Sequence, residues 1–415
     1  MDRTVVVLGG GAAGLMAAGR AAEAGARVVL VEKGGTLGSK LLLSGKGRCN
    51  LTSAEEDMQT FIARYGPKGK FLYPAFTRFG PRETVRFFED RGVQTSVERG
   101  KRVFPARGGA ARVLNCLIGY LRQGNVTIYR NREALNLIIR EGRAERFILR
   151  GQEAEGAAFI VATGGKSFPK TGSTGDGYRF AERAGHRVIP PEPALCPVRT
   201  REQWPLSAQG TTLRNVTLTL WEGGKKKTER FGEMLLTNFG ISGAIAMDMS
   251  REIAQAAEGG QALLTIDLKP ALSHETLTAR IGRDFMKYAA HPVGDGLKDL
   301  LPMGLIPVVL ERAAIPRERG VDTLGGDDIR RLVDAVKALS LTPDGLLGFR
   351  WAMVTAGGVD LREVDPRTMR SRFVENLYFA GEVLDLDGPT GGFNLQMCWS
   401  TGYLAGESAA KAALG

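Results

Sequence analysis

Cysteine and histidine are scarce in this sequence, and their spacing excludes several kinds of site. Among 415 residues there are four cysteines and three histidines, and no two cysteines form a Cys-x-x-Cys pair. Such scattered cysteines argue against a zinc centre, a disulfide framework and a dithiol relay. The histidines (His186, His274 and His291) form no recognisable catalytic triad or metal set. We therefore predict no metal site and a reducing, cytoplasmic environment.

Long hydrophobic runs are also missing. No apolar stretch approaches the roughly 18 residues that a membrane-spanning helix needs. The N-terminal apolar segment is broken by glycines and lacks the pattern of a signal peptide. With 43% hydrophobic and 24% charged residues, the chain is predicted to be globular, with two or three domains. We expect no membrane association, and no obligate protein partner is evident.

Negative charge is in short supply in the N-terminal part of the chain. Residues 1–190 hold 31 basic against 17 acidic side chains, whereas 191–346 hold 19 against 20. Within the first part, residues 64–112 contain 12 basic and 4 acidic side chains, interleaved with aromatic residues. A basic surface with stacking rings would suit looped RNA, and Arg99, Lys101 and Arg102 are candidate RNA-binding residues. The alternative, which the pattern favours for the aromatics, is that the rings form buried stripes of helices.

A glycine-rich turn near the N-terminus predicts a dinucleotide site. The apolar strand Thr4–Leu8 leads into Gly9-Gly10-Gly11-Ala12-Ala13-Gly14, a G-x-G-x-x-G turn. In such a turn the first glycine allows the tight bend, the second lets a pyrophosphate approach, and the third permits close helix–strand contact. The following helix would offer free N–H groups to the phosphates. Glu32, at the end of the next strand, could accept hydrogen bonds from ribose hydroxyls, so FAD or NAD is favoured over NADP.

Later segments favour FAD. Phe159–Gly165 has the pattern of a strand that ends in a small-residue turn, and Leu377–Glu382 has the same pattern with a terminal acid. That acid, Glu382, could lie against the ribityl chain. A helix starting near Gly392 would point its positive dipole end at the flavin, where negative charge develops on reduction. Because these pieces lie at both ends of the chain, the middle is predicted to be inserted into the cofactor domain.

The segment from Gly38 to Thr52, GSKLLLSGKGRCNLT, resembles the G-x-K-L-x-x-S-G-x-G-R-C-N-x-T signature of the BaiN/RdsA family of FAD-dependent oxidoreductases. The segments 162–177, 232–243, 355–360 and 380–396 resemble that family as well, in family order. The resemblance implies a Rossmann-like α/β FAD domain of the glutathione-reductase type, formed by residues 1–190 and 347–415. It also implies an inserted β-barrel (191–270 and 339–346) and a helical insert (271–338).

Motifs and resemblance together give a set of candidate cofactor-binding residues. They are Gly9, Gly11, Ala13, Gly14, Glu32, Lys33, Lys40, Ser44, Gly45, Arg48, Cys49, Asn50, Thr163, Gly164, Gly381, Glu382, Asp385, Gly392, Phe393 and Asn394. Lys40 and Arg48 are expected to neutralise pyrophosphate or reduced flavin, because their pKa values are too high for an acid.

Reduction of a polarised C=C bond requires hydride from the flavin and a proton from another group. Cys49 is the candidate general acid, and the alternative is that its thiol only lines the pocket. No second G-x-G-x-x-G is present for a resident nicotinamide. NAD(P)H is therefore expected to act as a transient electron donor.

The flavin motifs do not distinguish between substrates. The family that the chain resembles includes reductases of unsaturated bile-acid intermediates and enzymes that reduce a 23S rRNA uridine to dihydrouridine. The basic segment favours ribosomal RNA, because polyanion binding scales with phosphate contacts. A steroid-like enone remains an alternative substrate, and a non-catalytic flavin-carrying RNA-binding or assembly protein is a third hypothesis.

Overall fold

The computed structural model describes residues 3–415. They form two compact units, one of which is discontinuous in sequence. The discontinuous unit runs to Ala194 and resumes with Phe349–Gly415, and the inserted unit is Leu195–Gly348. None of the helices within residues 3–415 is long and apolar enough to cross a membrane.

A seven-stranded sheet forms the centre of the discontinuous unit. Five neighbouring strands are parallel, and two short antiparallel strands extend one edge. The strand order is Val364–Asp365, Arg370–Ser371, Leu377–Phe379, Ala158–Val161, Thr4–Leu8, Arg27–Val31 and Val126–Tyr129. The two innermost strands are buried along their whole length and are rich in apolar residues, as expected where both faces of a parallel sheet are covered. The predicted Rossmann-like α/β fold is confirmed.

Smaller sheets and helices surround this centre. Three antiparallel sheets contain the strands Thr52–Ser53, Arg102–Pro105 and Thr95–Glu98; Ala134–Arg140, Arg143–Leu149 and Gln152–Glu155; and Val188–Ala194 with Val354–Val359. The α-helices of the unit are Ala12–Glu23, Ser39–Leu43, Met58–Ala63, Tyr73–Arg78, Pro81–Glu89, Gly109–Arg122, Asp176–Arg183 and Phe393–Leu414. We call Ala12–Glu23 the N-terminal helix and Phe393–Leu414 the C-terminal helix.

The inserted unit combines one antiparallel sheet with helices. Its strands, in sheet order, are Leu339–Leu341, Ala262–Asp267, Thr212–Glu222, Lys225–Thr237, Gly240–Ser242, Val198–Thr200 and Pro343–Leu346. Its α-helices are Trp204–Ser207, Ala244–Asp248, Ser250–Glu258, His274–Lys287, Val293–Gly296, Ile306–Arg312 and Gly326–Lys337. The two edge strands are separated in the chain by Thr342 alone. The division into a closed barrel and a helical insert stays a prediction.

The N-terminal and C-terminal helices pack with their backbones in close contact. A Cβ atom on Gly402 would lie 2.4 Å from the Ala13 carbonyl oxygen, and one on Gly406 would lie 2.3 Å from that of Ala17. Real Cβ atoms do not come this close to another atom, so both positions require glycine. The spacing of four residues puts the two glycines on one face of the helix.

An ion-pair cluster adds to this contact at Glu407, the residue directly after Gly406. The buried carboxylate of Glu407 accepts hydrogen bonds from Arg20 of the N-terminal helix at 2.6 Å and from Arg78 at 2.5 Å. The Arg78 and Arg20 guanidinium groups hold the pKa of Glu407 down at about 2. The carboxylate is therefore charged at neutral pH, as charge-assisted pairing requires.

Replacing either contact glycine tests how much the fold depends on this packing. We expect Gly402→Ala and Gly406→Ala each to lower the free energy of unfolding by about 1–3 kcal/mol, because the added methyl group forces the helices apart. Chemical denaturation monitored by circular dichroism measures the change.

Gly282→Ala is the matched control, because Gly282 lies within helix His274–Lys287 and a Cβ there meets nothing within 4 Å. That variant should be as stable as the wild type or more stable by up to about 1 kcal/mol, since alanine is the better helix former. Equal stability of all three variants would contradict the packing role.

Candidate functional site

The glycine turn after the first strand has three different glycine environments. Gly9 has φ +105°, and a Cβ on it would lie 2.5 Å from the Ala162 carbonyl oxygen. A Cβ on Gly14 would lie 1.8 Å from the carbonyl oxygen of Gly9. At Gly11, in contrast, a Cβ would meet nothing within 4 Å. Gly9 and Gly14 are thus required by the protein's own backbone, whereas the space beside Gly11 is open to a ligand.

The N-terminal helix begins beside that open space. It starts at Ala12, and Gly11 at its N-cap provides no side-chain hydrogen bond. The first N–H groups of a helix have no partner within the helix. Together with the positive end of the helix dipole, they suit a pyrophosphate. Ala13 lies in this first turn of the helix and packs against Gly381. A Cβ on Gly381 would lie 2.7 Å from the Ala13 methyl group.

Glu32 and Lys33 follow the second strand of the sheet. The Glu32 carboxylate accepts hydrogen bonds from the backbone N–H of Gly10 at 2.8 Å and of Gly34 at 2.6 Å. The acid therefore faces the glycine turn, as a ribose-binding acid must. Lys33 Nζ pairs with Asp176 at 2.6 Å, so its charge is already neutralised by the protein.

Lys40 and Glu382 meet although they come from opposite ends of the chain. Lys40 Nζ lies 2.8 Å from Glu382 Oε2 and 2.6 Å from the Ser167 hydroxyl oxygen. Glu382 Oε1 also accepts from the Ser167 hydroxyl and from the backbone N–H of Thr355, each at 2.8 Å. Burying a carboxylate requires this kind of compensation by donors and a cation.

Two partners in this cluster, Ser167 and Thr355, were not among the predicted site residues. The Thr355 hydroxyl oxygen accepts from the backbone N–H of Lys166 at 2.8 Å and of Ser167 at 3.1 Å. Both residues lie inside segments that resemble the family, and this resemblance could have marked them as candidates for the site. Their pairing with Glu382 depends on three distant loops and could not be read from spacing.

The Arg-Cys-Asn loop, residues 48–50, has an unusual backbone. Cys49 has φ +60°, and Gly45 shortly before it has φ +57°. The Ser44 hydroxyl donates to the Leu41 carbonyl oxygen at 2.6 Å, and the Cys49 N–H donates to the Ser44 carbonyl oxygen at 3.0 Å. A non-glycine residue with positive φ is uncommon and costs free energy. These bonds hold the loop in that conformation.

The same loop contacts the start of the C-terminal helix. The Asn50 side-chain amide is oriented so that both its oxygen and its nitrogen form hydrogen bonds. The oxygen accepts from the Gly392 N–H at 3.0 Å, and the nitrogen donates to the Thr52 carbonyl oxygen at 3.0 Å. A Cβ on Gly392 would lie 2.4 Å from that same carbonyl oxygen. Asn50 and Gly392 are therefore hydrogen-bonded to each other, and the Thr52 carbonyl oxygen leaves no room for a side chain at position 392.

Cys49 itself is fully buried, with 0% of its surface exposed. Burial raises the pKa of the Cys49 thiol to about 12, and a hydrogen bond with Ser44 offsets this only in part. The thiol thus stays protonated at neutral pH. A buried group with so high a pKa is a weak proton donor, so these features favour the packing interpretation of Cys49.

Arg48 lies beside Cys49 but is directed at protein groups. Its guanidinium pairs with Glu98 and lies 4.3 Å from the centroid of the Phe104 ring. The predicted interaction of Arg48 with pyrophosphate or reduced flavin would have to compete with Glu98, and it stays a prediction.

Thr163 and Gly164 follow the buried strand Ala158–Val161. Gly164 has φ +73°, as a turn at the end of a strand requires. The Thr163 hydroxyl oxygen is buried and makes no hydrogen bond with any residue from 3 to 415. A Cβ on Gly177 would lie 2.2 Å from this oxygen, so the hydroxyl faces the protein interior and the role of Thr163 in cofactor binding stays a prediction.

The remaining candidates surround the start of the C-terminal helix. The Asn394 side chain accepts from the Gly388 N–H at 2.9 Å and donates to the Gly388 carbonyl oxygen at 2.8 Å, which closes the glycine-containing turn 388–392 before the helix. Phe393 is buried and its carbonyl oxygen accepts from the Tyr65 hydroxyl at 2.7 Å. Asp385 pairs with Lys68 at 2.5 Å. These three residues are held by protein contacts near the predicted flavin edge.

The residues present fit FAD. The open space at Gly11, the uncapped helix start and the acid at Glu32 all belong to the discontinuous unit. The first two suit the pyrophosphate of a dinucleotide and the acid suits its ribose.

The aromatic residues of the basic segment are mostly part of the core. Seven of the eight are buried or half-buried, and Tyr73 alone among them is exposed, at 51%. The buried ones are Tyr65, Phe76, Phe79, Phe87, Phe88 and Phe104. The buried-stripe interpretation is therefore confirmed, and a ring-studded RNA surface is not formed.

The basic side chains of the segment remain at the surface. Arg99, Lys101 and Arg102 are exposed in and beside the turn between strands Thr95–Glu98 and Arg102–Pro105, which we call the basic hairpin. Lys101 pairs with Glu55 at 2.7 Å, and Arg102 donates to the Arg99 carbonyl oxygen at 3.0 Å. Residues 95–105 contain three basic side chains and one carboxylate, Glu98, which pairs with Arg48, so the hairpin carries net positive charge.

A substitution at Gly11 separates cofactor binding from folding. We expect Gly11→Val to raise the Kd for FAD at least about tenfold, because its side chain occupies the open space where a phosphate would approach. The unfolding free energy of the FAD-free protein should change by less than about 1 kcal/mol, as for a substitution without a steric conflict.

Gly14→Val is the contrasting variant, since its Cβ would collide with the Gly9 carbonyl oxygen at 1.8 Å. It should unfold the protein or prevent its accumulation. Unchanged FAD affinity in Gly11→Val, measured by flavin fluorescence titration, would contradict the assignment of this turn.

Cys49 can be tested by removing its thiol. We expect Cys49→Ala to lower the unfolding free energy by about 1–2 kcal/mol through the cavity it leaves. The pH dependence of substrate reduction should keep its wild-type shape, because the thiol does not titrate near neutral pH. Stopped-flow reoxidation of the reduced flavin by substrate measures the rate, and a loss of about 100-fold or more would instead identify Cys49 as the acid.

Comparison with characterised proteins identifies the family. The family model described as HI0933-like protein Rossmann domain matches residues 3–408. The chain is 34% identical over 412 residues to the 3-dehydro-bile acid delta(4,6)-reductase of Clostridium scindens, covering 98% of each chain. It is 29% identical over 406 residues to the ribosomal RNA dihydrouridine synthase of Escherichia coli, covering 97% of this chain and 96% of that protein.

A solved structure shares the fold across nearly the whole length. The 3-ketosteroid-delta4-(5alpha)-dehydrogenase of Rhodococcus jostii superimposes with a TM-score of 0.52 at 18% identity, covering 100% of this chain and 97% of that one. At this identity the likeness establishes the fold alone. From the family match and the two relatives, we conclude that this chain belongs to the HI0933-like, BaiN/RdsA-type family and is an FAD-dependent oxidoreductase.

Proposed function

We propose that this oxidoreductase reduces a C=C bond next to a carbonyl group, and that its substrate is a uridine of 23S rRNA, which it converts to dihydrouridine. NAD(P)H would be oxidised in the overall reaction. The two hydrogens gained by the substrate are one hydride and one proton. A bound FAD supplies the hydride chemistry, and the protein must bind the RNA, orient the base and deliver the proton.

The position of the basic hairpin is the observation that carries the rRNA proposal. Its strand Arg102–Pro105 pairs with Thr52–Ser53, directly after the Arg-Cys-Asn loop. The backbone N–H of Leu51 donates to the Val103 carbonyl oxygen at 2.9 Å, and that of Ala54 donates to the Lys101 carbonyl oxygen at 2.7 Å. Exposed positive charge is thus joined by hydrogen bonds to the loop that reaches the C-terminal helix.

Charge at this position suits a polyanion. Lysine and arginine contacts to phosphates release counterions and bind RNA without sequence specificity. Since the aromatic rings of the segment are buried, phosphate attraction rather than base stacking would bring the RNA to this surface. The E. coli relative is itself a ribosomal RNA dihydrouridine synthase.

The second candidate function is reduction of a small enone. It is favoured by the C. scindens relative, which is a bile-acid delta(4,6)-reductase and has the higher identity of the two. Both reactions are reductions next to a carbonyl, so one flavin site can serve either. An enone has no phosphates and gives the basic hairpin no role.

Unmodified 23S rRNA is the substrate that tests the proposal. Incubation of the FAD-loaded enzyme with the in vitro transcript and NAD(P)H should produce dihydrouridine, the nucleoside with two additional hydrogens, detected by mass spectrometry after digestion. The triple variant Arg99→Glu/Lys101→Glu/Arg102→Glu should bind the RNA more weakly and lower the salt slope of log K by about 2, at roughly 0.7 per lost phosphate contact.

The matched control is Lys225→Glu/Lys226→Glu/Lys227→Glu, which makes the same change in net charge on a hairpin of the inserted unit. It should leave the salt slope unchanged. Absence of dihydrouridine, together with reduction of a steroid enone by the same preparation, would replace the rRNA proposal with the enone. An equal loss of RNA affinity in both triple variants would show that the basic hairpin has no specific role in RNA binding.

A further inference from the structure

The inserted unit contains a cavity that none of the flavin residues lines. Its volume is about 340 Å³, and it is lined by residues 212–214, 216, 268–269 and 301–302. The walls are largely apolar, with Leu213, Val216, Leu268 and Leu301 among them. The lining also includes two basic residues, Arg214 and Lys269, together with Thr212 and Pro302.

These two cations have no counter-charge of their own. Among the described residues, no carboxylate lies within ion-pair distance of Lys269 Nζ or of the Arg214 guanidinium. The carboxylate closest in sequence, Asp267, pairs with Lys337 at 2.6 Å and accepts only the backbone N–H of Lys269, at 2.9 Å. Arg280 is likewise paired, with Asp284 at 2.8 Å.

Lys269 is half-buried, so its lack of a counter-charge is costly. Burial, together with the nearby charge of Arg280, lowers the pKa of its ammonium group. Taking a cation partly out of water without a partner opposes folding. A bound anion would remove this cost and would therefore gain affinity from it.

The size and the walls of the cavity limit what the anion can be. A volume of about 340 Å³ lies in the range of sites for small organic molecules and exceeds what an inorganic ion would fill. Arginine binds carboxylates with paired hydrogen bonds, and the apolar walls favour a hydrocarbon body. We propose that this cavity binds a small amphipathic carboxylate through Arg214 and Lys269, independently of the substrate reduced at the flavin.

Octanoate is a suitable probe, with the full-length FAD-loaded protein and isothermal titration calorimetry as the measurement. Lys269→Met keeps the length of the side chain and removes its charge, and we expect it to raise the Kd for octanoate about tenfold or more. Arg214→Met should have an effect in the same direction, and because Arg214 is exposed, that variant will fold even if the first does not.

The control variant is Lys287→Met, which removes a lysine of the same unit that is paired with Asp299 at 2.6 Å. Its Kd for octanoate should equal that of the wild type. The neutral 1-octanol and inorganic phosphate should each bind at least about tenfold more weakly than octanoate, since each lacks one half of the recognition.

Four results would overturn the proposal. Three of them are the absence of octanoate binding, an equal Kd in the wild type and both methionine variants, and equal binding of 1-octanol or phosphate. Stronger binding of an RNA fragment than of octanoate, lost in both variants, would also overturn it and would assign these cations to a nucleic-acid surface. None of these results depends on whether 23S rRNA is reduced.

Discussion

The contact between the first and the last helix is the constraint on which the flavin site depends. Gly402 and Gly406 leave no side chain between the two helices, so their backbones meet at Ala13 and Ala17. The N-terminal helix begins at the glycine turn, and the C-terminal helix begins at Gly392. Fixing the two helices against each other therefore also fixes where one helix starts relative to the other, and the first N–H groups of each helix have no partner within that helix.

This packing buries carboxylates, which then need hydrogen-bond donors and cations from other parts of the chain. Once the chain ends are joined, Glu382 is buried and needs donors, which Lys40, Ser167 and Thr355 supply from separate loops. The buried carboxylate of Glu407, in the C-terminal helix, likewise forms ion pairs with Arg20 and Arg78. Each buried carboxylate thus ties several segments to one place. Losing one of its partners would leave an uncompensated charge, which is more costly than never burying the pair.

Local rules explain which parts of the structure the sequence could predict. The glycine turn was predictable because positive φ and close backbone approach both demand glycine. The helix His274–Lys287 was predictable from its cap, since the Ser273 hydroxyl accepts from the Thr276 N–H at 3.1 Å. The pairing of Arg48 with Glu98 could not be predicted, because it depends on how the basic hairpin folds back onto the Arg-Cys-Asn loop. The helical spacing favoured burial of the aromatic rings over an RNA surface, and the packing of the folded protein decided between the two.

Net charge alone is a weak guide to substrate here, and its placement is the better one. Several of the basic side chains in residues 64–112 are engaged within the protein: Lys68 by Asp385, Arg78 by Glu407 and Lys101 by Glu55. What distinguishes the basic hairpin is its hydrogen-bonded connection to the loop that contains Cys49. An RNA held there would lie beside a loop whose conformation is set by Cys49 and Asn50. If RNA is the substrate, binding at the hairpin and order in the loop are therefore linked through one small sheet, and a substrate without phosphates would lack that link.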